Sequence, residues 1–258
     1  MNEPSREDRL LEAEDGRFFA IGKTPVGQKV EGGGELGPGL AMRAGVERVG
    51  PARVPVSFGL PSAPAMFLNL SHKAFSSYRG VNVYTLFDKH PQGIWPDTHT
   101  PLFNYFESFS AHVVFAFTAL ESFANELLPE GVAFEVTEEG GSEKRYTRED
   151  VERKASLEQK LAQYLPEALN TLNPEGPHIS TPKGLHIWRD FKKLKKTRDR
   201  LIHLKAIDRS RKADDKTPTI WADMLNSARV PFCDQAHELM GHYGAAVTER
   251  RWYKKYPY

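Results

Sequence analysis

The chain has 258 residues, 40% of them apolar and 27% charged, a composition that suits a water-soluble globular fold able to bury its own core. Its 35 Lys+Arg and 34 Asp+Glu leave a net charge of +1, so no global bias points to nucleic acid or a membrane surface. One cysteine, Cys233, excludes an internal disulfide and a zinc site built of cysteines.

Residues 1–16 are charged and lack the apolar centre of a secretory signal. Residues 1–65 hold 11 of the 20 glycines and 7 of the 18 prolines. Runs such as Gly32-Gly33-Gly34 fit neither a helix interior nor a central strand. Short strands are expected at Arg17–Ile21 and Arg53–Phe58. Residues 66–100 carry Phe67, Phe75, Tyr78, Tyr84, Phe87 and Trp95 without clear periodicity. They read as irregular chain packed on a helical part, because so many rings would not stay solvated. The expected division is therefore an N-terminal extension over 1–100 and a helical domain over 101–258.

From Pro101, apolar residues recur at Phe106, Phe109, Val113, Phe117, Leu120, Ala124 and Leu127, the period of a long amphipathic helix. Its most apolar stretch, Ala111–Leu120, is about half of what a bilayer span needs. No membrane partner follows, and a cytoplasmic setting is the default. Val132–Thr137 and Glu143–Thr147 alternate around a Gly-Gly turn, the pattern of a β-hairpin. Thr147 with Asp150 and Ser156 with Gln159 have capping-box spacing and mark two helix starts. Pro166 should break or kink the second. A third major helix should start near Pro182-Lys183, and a last one should run from about Asp234 to Arg250. The fold class is mainly α: a bundle of four or five helices with an inserted β-hairpin and an irregular, partly β N-terminal extension.

The usual phosphate-loop, zinc-protease and serine-elbow motifs are absent. No metal site and no cofactor are read. His237 and His242 stand about 140° apart on a helix and do not share a face. Charge is more informative. Between His186 and Lys212 the chain carries a net +8, leaving −7 for the remainder. Lys192, Lys195, Lys196, Arg200 and Lys205 are the candidate RNA contacts in this stripe. The same stripe could be a solvated helix face with acidic neighbours. It contains Arg198-Asp199-Arg200-Leu201-Ile202-His203. An arginine and a histidine at one phosphodiester suffice for metal-free cleavage: imidazole moves a proton and guanidinium holds the phosphorane oxygens. At the C-terminus, Arg250–Tyr258 interleaves cations with rings. That suits single-stranded RNA, or rings folded back onto the bundle.

Three stretches together resemble the HEPN superfamily: Phe117–Leu128, which contains Ala119-Leu120-Glu121-Ser122; Ser156–Leu161 with Tyr164-Leu165-Pro166; and Trp188–Leu194 leading into Arg198–Lys205. Arg198 and His203 match the superfamily's Arg-x(4–6)-His signature, with the polar Asp199 directly after the arginine. The resemblance covers roughly residues 101–250. It implies a helical bundle that forms a homodimer and, in many members, cuts RNA without metal by attack of a 2′-OH on the adjacent phosphate. By that resemblance Arg198 and His203 are catalytic, and Asp199 orients them. Glu121 pairs with a basic residue of the motif helix or makes an ordinary polar contact between helices. Members that act as toxins beside a nucleotidyltransferase antitoxin often carry tyrosine two residues after the histidine. Lys205 stands there in this chain, so control by adenylylation of that position is not expected, and any antitoxin or regulatory partner is unidentified. A role in bacterial defence or stress response fits the family. The alternative is a non-catalytic HEPN-like module that binds RNA or protein.

Overall fold

The apolar stripe anticipated from Pro101 onward organises the molecule. The computed structural model describes residue 17, strand pairs between 20 and 42, and residues 44–88, 96–137, 143–209, 218–248 and 250–257. The protein is mainly helical. Four short antiparallel pairs join Ala20–Ile21 (β1) to Ala41–Met42 (β4), Gln28–Lys29 (β2) to Glu35–Leu36 (β3), Ala44–Val49 (β5) to Val54–Gly59 (β6), and Phe134–Thr137 (β7) to Glu143–Tyr146 (β8). The turn between β5 and β6 has Gly50 at φ 74, a conformation glycine adopts without the Cβ penalty. Of the strand expected at Arg17–Ile21, Ala20–Ile21 is present as β1 and residues 18–19 lie outside the described residues, while the strand expected at Arg53–Phe58 is present as β6.

The segment expected to be irregular contains a regular helix, Ala63–Tyr78 (α1), followed by a 3₁₀ turn over Val83–Phe87. Ser62 caps α1 by accepting from Ala65 N–H at 3.4 Å, and Pro64 occupies its first turn. Residues Ala65, Leu68, Phe75 and Tyr78 form its buried stripe, a helical spacing interrupted by polar residues between Leu68 and Phe75. As expected, the segment packs on the helical part: α1 lies mainly against Pro96–Leu127 (α2). The fully buried Phe109, Val113, Ala116, Leu120 and Phe123 of α2 form the centre of the core, each large side chain contributing about 1.5–3 kcal/mol by leaving water.

One buried polar node ties three helices together. Cys233 N–H donates to His112 Nε2 at 3.1 Å. A backbone N–H can only donate, so the imidazole proton is on Nδ1, which gives it to Tyr78 Oη at 2.7 Å. Burial, reinforced by nearby His72, pushes the His112 pKa down to about 3, so this ring is a neutral packing element.

Both capping boxes form. Thr147 starts Arg148–Lys154 (α3), and Ser156 starts the next helix. That helix opens as Leu157–Gln159, widens to π geometry over Lys160–Tyr164, and returns to α form over Leu165–Leu172 (together α4). Where a break or kink was expected at Pro166, the helix continues through a change of winding. Leu165 N–H reaches back five residues to Lys160 O, and Pro166 follows in the first turn of the renewed α segment, where its missing N–H is harmless. The third major helix is His186–Ile202 (α5), starting a few residues later than expected. The short Ile220–Asn226 (α6) had no anticipated counterpart. The last expected helix is divided: Phe232–Gly241 (α7), a turn with Gly244 at φ 61, then Ala245–Thr248 (α8) and Arg251–Lys254 (α9). Among the described residues, no helix is long and apolar enough to cross a membrane.

The C-terminal rings fold back onto the bundle. Trp252 is buried, and Tyr253 and Tyr256 stack on His237 at 4.0 and 4.5 Å. Lys254 and Lys255 stay exposed.

Candidate nucleic-acid interface on helix α5

Helix α5 has two faces. Ile187, Phe191 and Leu194 are buried against α2 and α7, and Arg198 continues this stripe one turn further. The opposite stripe carries Lys192, Lys195, Lys196 and Asp199, and ends at His203. These residues, with Arg200 and Lys205, line an open cleft of about 450 Å³. A roomier cleft of about 600 Å³ is lined by Glu130, Glu149 and Glu152 around Arg148; Arg148 is already bound to Glu152 at 2.7 Å. Three carboxylates there would repel a phosphate, so the α5 cleft is the better candidate for an RNA backbone.

His203 occupies the C-terminal cap position of α5, where its backbone N–H closes the last turn on Asp199 O at 3.0 Å. Its side chain is exposed and has no hydrogen-bond partner among the described residues. The preceding Ile202 is 49% exposed and the following Leu204 38%. Arg198 does not line the cleft. Its guanidinium lies over the Phe117 ring, 4.5 Å from the centroid, and Nη1 donates to Asp199 Oδ1 at 3.0 Å. Asp199 is the link between the two faces, because its other oxygen accepts from Lys195 Nζ at 2.7 Å. Burial opposes ionisation of Asp199, but the bonds from Lys195 and Arg198 outweigh it and hold the carboxyl below its usual range. The same hydrogen bond raises Lys195, so both groups are held charged.

The cations of the cleft are unequally committed. Lys192 pairs with Glu158 of α4 at 2.9 Å, and Lys195 is 3.7 Å from the same carboxylate. Lys196 and the Lys205 side chain have no acidic partner among the described residues. Arg200 is spent on the protein. It donates to Asp223 at 2.9 Å, Asp208 at 2.8 Å and Pro218 O at 2.6 Å. Asp208, whose side chain is fully buried, also accepts from Lys205 N–H at 2.9 Å and Ile220 N–H at 2.7 Å. The node clamps the exit of α5 to the start of α6. Desolvation would raise Asp208, but Arg200 and the two backbone donors prevail and lower it.

Glu121 is exposed on α2, in line with Phe117 and Asn125 at one-turn spacing. Among the described residues no hydrogen bond or ion pair joins it to α5. Its charge acts on the buried Lys160, whose Nζ donates to Asn125 Oδ1 and Glu152 O, both at 2.8 Å. Sequence reasoning missed Glu158, Asp208 and Asp223 as the carboxylates that engage cations of the cleft, and Phe117 as the ring beneath Arg198. Only Asp208 carried a signal, as one of three acids in a strongly basic stretch; the others come from distant segments.

No protein-family model, curated protein or solved structure matches this chain.

Proposed function

We propose that this chain is a HEPN-type endoribonuclease that works as a homodimer and needs no divalent cation for the chemical step. The observation that carries the reading is an exposed, uncommitted histidine at the end of a lysine-lined cleft. The lysines bind the phosphate backbone, and His203 transfers the proton as a 2′-OH attacks the adjacent phosphate, leaving a cyclic phosphate and a 5′-hydroxyl. Asp199 holds Arg198 by one oxygen and Lys195 by the other, so it couples the arginine to the cleft. In-line cleavage is served best by a base and an acid on opposite sides of the phosphorus, and one chain offers one histidine in the cleft. A two-fold dimer supplies the second. The exposed Ile202 and Leu204 that flank His203 suit contact with another protein surface.

One observation favours a second reading, a non-catalytic RNA-binding module: Arg198 is stacked on Phe117, outside the cleft lining. Cleavage of a mixed RNA pool without added Mg²⁺, with end-group analysis, separates the two. His203→Ala and Arg198→Ala are each expected to lose on the order of 10²–10⁴ in rate while melting as folded proteins. Cleavage that survives both substitutions, or that depends on Mg²⁺, removes the nuclease proposal. Binding by the wild type without cleavage leaves the module.

A further inference from the structure

Away from α5, three metal-ligating side chains meet where α1 approaches α7. A ring nitrogen of His72, Sγ of Cys233 and a carboxylate oxygen of Asp234 lie within 4.8 Å of one another. We propose that His72, Cys233 and Asp234 bind a zinc ion that pins α1 to the start of α7.

The donor set carries the choice of metal. A thiolate, an imidazole and a carboxylate suit borderline-soft Zn²⁺ and exclude Mg²⁺ and Ca²⁺, which take oxygen donors. His72 brings an unspent donor. Its Nε2 is 3.4 Å from Ser76 Oγ, whereas its Nδ1 is shut off from solvent with no hydrogen-bond partner. A buried cysteine alone would be an ordinary small apolar residue. Its convergence with an imidazole nitrogen and a carboxylate sets this one apart.

The surroundings resemble the outer shell that orients metal ligands. Tyr256 Oη donates to Asp234 Oδ1 at 2.8 Å, and its ring meets the His72 ring edge-on at 5.7 Å. The Cys233 backbone is fixed by its bond to His112 Nε2. Asp234 is exposed, giving the ion an entry path and room for water as a further ligand. Without the ion the thiol donates to Asp234 Oδ1 at 3.6 Å, and burial pushes its pKa up to about 12. On binding, the S–H bond breaks, the proton leaves to solvent, and the sulfur lone pair forms the bond to zinc.

Co²⁺ titration of the purified full chain provides the probe. One equivalent should give a thiolate-to-cobalt charge-transfer band that Zn²⁺ displaces and Cys233→Ser abolishes. His72→Gln and Asp234→Asn, milder changes that leave the buried cysteine in place, should each weaken Zn²⁺ in chelator competition by at least about 10–100-fold. Zn²⁺ should raise the melting temperature of the wild type and not of these variants. Absence of a thiolate band, or zinc affinity unchanged in both milder variants, would overturn the site. RNA cleavage is not the readout, so failure here is independent of the nuclease proposal.

Discussion

At the scale of single residues, neighbouring cations of α5 do different work. Arg200 and Asp208 form a nearly enclosed pair, 14% and 0% exposed, with two backbone N–H groups also aimed at the carboxylate. Asp208→Asn leaves the guanidinium partly unpaired. The expected loss is about 2–3 kcal/mol in urea unfolding, below the ~3–5 of a deep pair because this one lies just beneath the surface. The acid limb of stability carries the same signature. Asp208 is held below its ordinary value when folded, so its contribution is complete above about pH 4 and is lost as pH falls through the lower folded value. In Asp208→Asn the stability–pH curve should be flatter below about pH 4. An unchanged acid limb would mean that the pair is not what stabilises the α5 exit. Lys196→Gln should leave stability unchanged, because no partner among the described residues depends on it.

At the scale of the element, α5 is a basic helix only part of whose charge is free. Lys192 and Lys195 share Glu158, and Lys195 also pairs with Asp199, whereas Lys196 and Lys205 face solvent. Each contact to a single-stranded phosphate adds about 0.7 to the slope of log affinity against log salt. The double variant Lys196→Gln/Lys205→Gln should therefore lower that slope by about 1.4, as measured by RNA binding across a salt series. An unchanged slope would mark the stripe as a solvated face. In α4, Lys160 opens the π segment and is held as a buried cation by Asn125 Oδ1 and the Glu152 carbonyl.

At the scale of the molecule, the proposed nuclease depends on assembly to complete its site. The proposed dimer brings two α5 ends together, with Ile202 and Leu204 beside each His203. Ile202→Glu/Leu204→Glu introduces charge at that contact and should yield monomers in analytical ultracentrifugation at micromolar concentration. Cleavage should fall with dimer content while RNA binding by the lysines persists. A wild type that is monomeric throughout that range would require one chain to provide both proton-transfer groups, and would count against the dimeric nuclease.

The long helix α2, both capping boxes and the amphipathic α5 were legible because each rests on contacts within about four residues along the chain, and the hairpin β7–β8 because its strands alternate around a Gly-Gly pair in the sequence. The shared face of Lys192, Lys195, Lys196, Asp199 and His203 follows from spacings of three, four and seven, but Arg200 was expected among the RNA contacts and Arg198 beside His203, whereas the structure commits Arg200 to Asp208 and Asp223 and leaves Arg198 outside the cleft lining. Helix α1 was not legible: its apolar stripe is interrupted by polar residues such as Asn69, Ser71, His72 and Lys73, and its stability comes from packing on α2. Only the tertiary structure assigned Arg200 to Asp208 and Asp223, stacked Arg198 on Phe117, brought the charge of Glu121 into range of Lys160, and gathered His72 to Cys233 and Asp234. Those partners are distant in sequence, apart from Asp208, and an ion pair, a ring stack or a ligand set forms where folding brings side chains within a few ångströms, a proximity that local periodicity does not encode.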